Sequence, residues 1–188
     1  EREAAIGAIL GRLLASLPGT PYTFRVTVLN HRAVNALAAP GGQIVLLRGL
    51  VERTRTPEEL AGVLAHEIQH VLRRHATQML LQHASTGLIL AAVAGDISGI
   101  MAFGLESARV LGALQYSRRN ETEADVEGLR LLVAAGIDPE GMIAFFETLR
   151  AEERRLPAPP RYLLSHPTAE DRAETLRRLA AAAPQRSA

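Results

Sequence analysis

Cysteine and tryptophan are both absent from this chain of 188 residues. Without thiols there is no disulfide framework, no cysteine nucleophile and no thiolate zinc site, so zinc ligands would have to be histidines or carboxylates. Aromatic residues make up 4% of the sequence, and 21 basic residues balance 20 acidic ones to a formal net charge of +1. With few rings for stacking and no basic excess, the composition gives no case for nucleic-acid binding.

A leader sequence is also missing. The chain begins with Glu1, and no basic segment followed by an apolar one stands at its start. We therefore expect a trimmed or mature form whose targeting signal is not present in this chain. The length fits one domain with a substantial core, and we predict a single domain over residues 1–188.

The longest apolar stretch, residues 87–105, contains one charged residue, Asp96, near its middle. Its length approaches that of a membrane-spanning helix, but a central carboxylate is costly in lipid. Internal glycines favour two shorter helical pieces. We predict a buried helical hairpin rather than a span, with peripheral contact with a membrane surface as the main alternative.

The sequence His66-Glu67-Ile68-Gln69-His70 is an HExxH motif inside a helix-like run over residues 56–85. On a helix, residues i and i+4 stand about 40° apart around the axis and about 6 Å along it, so both imidazoles can reach one metal ion. Glu67 lies about 100° from His66, where it can act on a water molecule without being a ligand.

The start of this helix is well specified. Thr56 is a good N-cap, Pro57 suits the first helical position, and Glu59 completes a capping box. The apolar residues recur at helical spacing, and their main stripe points away from the two histidines. We expect one side of the helix to pack and the other to hold the metal.

Elsewhere the pattern is mainly helical. Residues 1–17 predict an amphipathic helix, residues 24–29 and 43–47 predict strands, and residues 119–135 predict a helix closed by Gly136. A proline-rich loop over residues 156–167 precedes a last helix at about 168–183, with its arginines directed outward. The predicted class is α+β with a small sheet beside the HExxH helix. Its exposed edge, on which an extended substrate would pair, is predicted to be Gln43, Ile44, Val45, Leu46 and Leu47.

Two histidines do not complete a catalytic zinc site, because a third protein ligand is needed. Glu121 and Asp125 stand at i and i+4 on one face of the helix over residues 119–135, and Gly128 on that face permits close helix approach. We assign Glu121 as the third ligand. Asp125 is predicted to accept a ring N–H of a ligating histidine and so to fix its tautomer.

Four histidines remain. His31 is predicted in a turn, and His75 and His83 as packing or solvated residues. His166 stands before Pro167, which disfavours helix at the preceding residue. We weigh three roles for His166: entry to the last helix, a latch in the fourth zinc position, or a donor to the developing oxyanion. Tyr116 and Tyr162 are the other candidate oxyanion donors.

The sequence resembles the HtpX and BepA-like family of zinc metalloendopeptidases, to which the CAAX prenyl proteases also belong. The matching stretches are VNALAAPGGQIVLLRGLVERTRTPEELAGVLAHEIQHVLRRH, SRRNETEADVEGLRLLVAAGIDPEGM and LLSHPTAEDRAETL. The resemblance implies a zincin-like fold of the gluzincin type, one zinc ion per chain held by His66, His70 and Glu121, and Glu67 as catalytic base. Likeness to membrane-free bacterial members implies a periplasmic or envelope location.

These observations predict a zinc-dependent endopeptidase that hydrolyses unfolded or extended polypeptides, in envelope protein quality control. Two alternatives belong to other classes of protein. One is a catalytically silent, zinc-stapled, chaperone-like module. The other is a membrane-associated interaction domain built around residues 87–105. An intact Glu67 argues against the silent module, because a structural zinc site has no use for a base there.

Overall fold

A computed structural model describes residues 2–82, 116–155, 161–166 and 172–182. These residues form a mainly helical protein with one three-stranded sheet, as the sequence predicts. In chain order the elements are α1 (Arg2–Ala15), β1 (Arg25–Leu29), β2 (Ala36–Ala39), β3 (Gln43–Leu47), α2 (Arg48–Arg53), α3 (Pro57–Leu72), α4 (Arg118–Ala134), α5 (Glu140–Glu153), α6 (Arg161–Ser165) and α7 (Arg172–Ala182). A further helical segment covers residues 75–82.

The sheet has the strand order β1-β3-β2. β3 pairs in parallel with β1 and antiparallel with β2, so it is the central strand. The prediction that Gln43–Leu47 forms the exposed edge is therefore wrong. The reason lies in the turn before β3, where Gly41 and Gly42 adopt φ of 82° and 87° and fold β3 back against β2. β2 is short and consists of alanine and leucine, which gave no strand signal.

Helix α3 begins where its capping residues predict. Thr56 is the N-cap, its side chain accepts a hydrogen bond from the Glu59 amide at 3.2 Å, and Pro57 is the first helical residue. The reciprocal bond differs from a standard capping box. The Glu59 carboxylate accepts from the amide of Arg55 at 2.7 Å, one residue before the cap.

Helix α3 is the central element of the molecule, and every residue from Glu59 to Val71 is buried. It packs against α4 and α5, with α1, β2 and β3 also in contact. The side that carries the histidines is thus as enclosed as the apolar side. Two glycines permit this closeness: a Cβ on Gly62 would lie 2.6 Å from Met142 Cα, and one on Gly128 would lie 3.2 Å from the His66 amide nitrogen.

The C-terminal end of α4 is closed as predicted. Gly136 has φ of 65°, its amide donates to the Val133 carbonyl, and the Ile137 amide donates to the Leu132 carbonyl, which is the Schellman arrangement. Helix α5 then directs Phe145, Phe146 and Leu149 into the core.

The segment before His166 differs from the prediction. Residues 161–165 form the short helix α6 inside the stretch that was predicted as a proline-rich loop. The last helix is described over Arg172–Ala182.

The predicted hairpin at residues 87–105 lies outside the described residues, as does His83. Within the described ranges, no helix combines the length and the apolar character that crossing a bilayer requires.

Candidate metal centre

Four buried side chains direct one potential ligand atom each toward a common point, and all four atoms lie within 4.8 Å of one another. Two come from α3, one from α4 and one from the residue that follows α6: His66, His70, Glu121 and His166. Each of the four is at most 1% exposed. The i, i+4 spacing on α3 brings the first two together, and the tight α3–α4 contact at Gly128 brings Glu121 up to them.

The spacing of these atoms fits a tetrahedral zinc site. His66 Nε2 lies 2.9 Å from His70 Nε2 and 3.3 Å from His166 Nδ1. Glu121 Oε1 lies 3.3 Å from His70 Nε2 and 3.1 Å from His166 Nδ1. A tetrahedron with metal–ligand bonds of about 2.0–2.1 Å has edges of roughly 3.3 Å. The nitrogen and oxygen donors therefore suit zinc in both chemical type and separation.

The outer nitrogen of His66 is held by an acid. Its Nδ1 lies 2.9 Å from Asp125 Oδ1, so the ring presents Nε2 to the centre. Asp125 is itself held by the guanidinium of Arg172, whose Nε and Nη2 donate to the two carboxylate oxygens at 2.6 and 2.7 Å. This is the arrangement in which an acceptor behind a ligand fixes its tautomer.

Arg172 was missed by the sequence reasoning, which directed the arginines of the last helix outward. It is 6% exposed, its Nη1 lies 3.0 Å from Glu121 Oε2, and its guanidinium stacks over the Phe146 ring at 4.7 Å. Two carboxylates buried side by side require a compensating cation. That requirement was the available signal, but the sequence does not show which of its many arginines meets it.

His70 is held differently. Its Nδ1 lies 2.9 Å from Nδ1 of His75, and the Tyr116 ring stacks on its face with 3.9 Å between centroids. His75 is 2% exposed and stands outside the group of four potential ligands. The sequence predicted a packing or solvated histidine, and gave no hint of this ring contact.

Glu67 is buried beside the four ligand atoms, and neither of its carboxylate oxygens makes a hydrogen bond within the described part of the chain. Burial raises the pKa of this carboxyl, and the nearby His166 and His66 only partly offset the effect. His166 Nε2 lies 3.5 Å from Glu67 Oε1. A buried acid without a partner is costly for the fold, and such groups are typical of functional sites.

Two of the four potential ligands, His70 and Glu121, are shifted toward the forms that bind metal. Burial lowers the pKa of His70 well below its usual value, which leaves the ring neutral at pH 7. Burial alone would raise the pKa of Glu121, but the neighbouring His166, His70 and His66 outweigh it and lower the value. Neutral imidazole and ionised carboxylate are the states that coordinate zinc.

His166 is brought to the centre by α6. This helix is anchored to the chain just before β2, because the Tyr162 amide donates to the Val34 carbonyl and Ser165 Oγ contacts Asn35 Oδ1 at 3.2 Å. The Tyr162 ring stacks on His166 with 4.4 Å between centroids. Of the three roles weighed for His166, the geometry favours a place beside the metal over simple helix entry.

The remaining predicted residues differ in how close they lie to this point. His31 is exposed, and its Nδ1 accepts a hydrogen bond from the Ala33 amide in a turn, as predicted. The five residues of β3 lie in the middle of the sheet, and β2 is the edge strand that contacts α3. Tyr116 reaches β2 through a 3.4 Å hydrogen bond from its hydroxyl to the Ala38 carbonyl.

Comparison with known proteins agrees with this geometry. Residues 2–180 match the family model described as Peptidase family M48. A putative beta-barrel assembly-enhancing protease of Vibrio cholerae is 38% identical over 173 residues, which is 86% of this chain and 35% of the relative. The beta-barrel assembly-enhancing protease of Escherichia coli K12 is 32% identical over 171 residues, again 86% of this chain and 35% of the relative.

A eukaryotic relative is named as a metalloendopeptidase. The mitochondrial metalloendopeptidase OMA1 of Schizosaccharomyces pombe is 29% identical over 169 residues, covering 89% of this chain and 50% of the relative. The chain thus spans between about a third and a half of the length of these relatives.

Proposed function

Since the chain belongs to peptidase family M48, we propose that it is a zinc-dependent endopeptidase whose ion is held by His66, His70 and Glu121, with Glu67 as the general base. The observation that carries the proposal is the convergence of these potential ligand atoms at tetrahedral spacing beside the fully buried carboxyl group of Glu67. Relatives named metalloendopeptidases support the metal and the reaction class.

Each residue then has a distinct task. A zinc ion, when bound, polarises a peptide carbonyl and lowers the pKa of water from about 15.7 towards about 7. Glu67 accepts the proton that the attacking water loses, and afterwards delivers it to the nitrogen of the leaving amine. Asp125 and Arg172 hold the His66 ring so that Nε2 stays directed at the centre. Tyr116, Tyr162 and His166 surround the same point, where a donor can meet the developing oxyanion.

We propose that extended polypeptides are the substrate, bound along β2 rather than β3. An edge strand offers backbone groups that pair with an extended chain. β2 is an edge of the sheet and contacts α3, which carries Glu67. In the structure the α6 segment is hydrogen-bonded at Val34 and Asn35, directly before this strand. A substrate paired along β2 would therefore lie next to the segment that carries His166.

We further propose a role in envelope protein quality control and a periplasmic or envelope location. The support is the name of the bacterial relatives, which refers to β-barrel assembly. The mitochondrial relative shows that the family also works elsewhere.

The test measures zinc content and casein proteolysis together in the wild type and in Glu67→Gln. We expect about one zinc per chain, proteolysis that a chelator abolishes and zinc restores, and a Glu67→Gln variant that keeps zinc but loses about 10² to 10⁴ in rate. The amide preserves the shape of the side chain while removing the base.

Near-native activity of Glu67→Gln would contradict the mechanism. A wild type that binds zinc but shows no proteolysis would favour the silent, zinc-stapled module instead. Full zinc occupancy in His66→Ala or Glu121→Ala would overturn the ligand assignment.

A further inference from the structure

His75 is a buried histidine that the proposed mechanism does not use. It is 2% exposed and lies in the helical segment that follows α3. Its Nδ1 is 2.9 Å from His70 Nδ1, and the two rings meet edge to face with 5.0 Å between centroids. A histidine that only filled space would not need a ring nitrogen aimed at the ring nitrogen of a ligand.

This contact determines which ring nitrogen carries the hydrogen in His70 and in His75. His70 presents Nε2 to the metal centre, and a nitrogen that binds a metal carries no hydrogen, so the ring hydrogen of His70 is on Nδ1. That N–H then donates to Nδ1 of His75, which is the acceptor. The hydrogen of His75 is accordingly on Nε2.

The chain of contacts continues to the surface. His75 Nε2 lies 3.6 Å from Glu123 Oε2, and Glu123 is bound by Arg73 Nη1. Glu123 borders a polar surface cavity of about 610 Å³ and its side chain is 39% exposed. The order of groups outward from the centre is thus His70, His75, Glu123 and Arg73.

The two ligands of α3 are therefore supported by different chemistry. Behind His66 stands a carboxylate, Asp125, which is ionised and bound by Arg172. Behind His70 stands a neutral ring whose own hydrogen points to a carboxylate. Each of these contacts is made to Nδ1 of the histidine and leaves Nε2 directed at the metal centre. Each contact also restricts rotation of the imidazole ring.

From this geometry we propose that His75 is a positioning residue of the metal centre: it accepts the Nδ1–H of His70, and the Glu123 carboxylate, 3.6 Å from His75 Nε2, favours the tautomer that carries its hydrogen there. The inference rests on the proposed zinc site, and it adds a residue that acts through His70 and does not touch the ion. Loss of such a supporting partner lowers metal affinity by about 10- to 100-fold.

The test compares zinc affinities by chelator competition in variants of the whole 188-residue chain. His75→Leu removes the acceptor while keeping a side chain of similar bulk, and we expect it to weaken zinc binding by about 10- to 100-fold. In His75→Asn the amide oxygen stands close to the position of Nδ1 and can accept the same N–H, so its affinity should stay close to the wild type. The matched control is His31→Leu, which removes an exposed turn histidine and should bind zinc as the wild type does.

Cobalt substitution supplies a readout that a purely structural role would not move. The visible spectrum of the cobalt form reports ligand geometry, and it should change in His75→Leu while remaining unchanged in His75→Asn. Glu123→Ala removes the outer partner of His75, a side chain that is partly exposed. This variant should weaken zinc binding less than His75→Leu does.

Several outcomes decide the matter. Equal zinc affinity in the wild type and His75→Leu would overturn the inference while leaving the proposed function intact. Equal losses in the Leu and Asn variants would assign His75 to packing. If His75→Leu does not fold, the inference stands only if Glu123→Ala weakens zinc binding and His75→Asn does not. A wild type that binds no zinc would remove both the proposed function and this inference.

Discussion

The residues of the metal centre differ in how far the sequence could place them. His66, Glu67 and His70 are linked by helical spacing alone, and the same holds for Glu121 and Asp125 on α4, so a local rule predicted each group. Arg172, His75 and His166 reach the centre through packing or a change of chain direction. Their distances from it depend on where α6, α7 and the segment after α3 lie, which no local spacing encodes.

His166 carries the first prediction. Its Nδ1 lies at tetrahedral spacing from His66 Nε2 and Glu121 Oε1, and its Nε2 faces Glu67. A ring in that place occupies the position that water and substrate need. His166→Ala should therefore increase turnover of an unfolded substrate while leaving zinc bound, as measured by proteolysis and metal content in the same preparation.

The sign of the change distinguishes two roles. If His166 instead donates to the oxyanion, the alanine variant should lose about 10² to 10³ in rate. If neither activity nor zinc content changes, His166 serves only as the entry to the last helix. Tyr162→Phe is a useful comparison, because it keeps the ring that stacks on His166 and removes only a buried hydroxyl for which no hydrogen-bond partner is found among the described residues.

At the scale of elements, the ends of the helices were easier to predict than the order of the strands. Thr56 caps α3 with its side chain, and Gly136 closes α4 because its backbone adopts a positive φ. Both effects act within a few residues of the cap. Strand order depends instead on which backbones pair across the sheet. Gly41 and Gly42, which stand directly before the predicted strand over residues 43–47, form the turn that places β3 between β1 and β2.

The contact between α3 and α5 leads to the second prediction. A Cβ on Gly62 would lie 2.6 Å from Met142 Cα and from Met142 Cβ, so Gly62→Ala must push α5 away from α3. We expect a loss of about 1–3 kcal/mol in the free energy of unfolding, measured in urea on the metal-free protein.

Gly11→Ala is the matched control, because this glycine is also helical but a Cβ there would meet nothing within 4 Å. Alanine is the better helix former by about 1 kcal/mol, so the control should be as stable as the wild type or more so. Destabilisation of both variants by similar amounts would show that helix packing at Gly62 is not the cause.

At the scale of the whole molecule, the candidate ligands join parts of the chain that are far apart in sequence. α3, α4 and the segment ending at His166 each supply at least one donor atom, so one ion would bridge three segments. Metal binding and folding stability should therefore be linked, since a preformed site does not exist in the unfolded chain.

The last prediction concerns that linkage and its pH dependence. At pH 7.5, free zinc at about 100 times its dissociation constant should raise the free energy of unfolding by about 2.7 kcal/mol.

Burial lowers the pKa of His70 below 6.5 in the folded state, so the unfolded chain binds a proton more readily than the folded chain does. This histidine's contribution to stability is accordingly present above pH 6.5 and is lost as the pH falls through its folded value. His166 acts in the opposite sense, because Glu121 and Glu67 outweigh its burial and raise its pKa. Its contribution is present below pH 6.5 and is lost as the pH rises through its folded value. Zinc binding needs the rings of His66 and His70 neutral, so acid displaces the ion once the pH falls through the folded-state pKa of His70. Thermal unfolding with and without zinc, repeated from pH 7.5 to about pH 4, should show a zinc-dependent increment that persists near neutral pH and falls toward zero at the acid end. An increment that stayed constant over this range would mean that histidines are not the ligands.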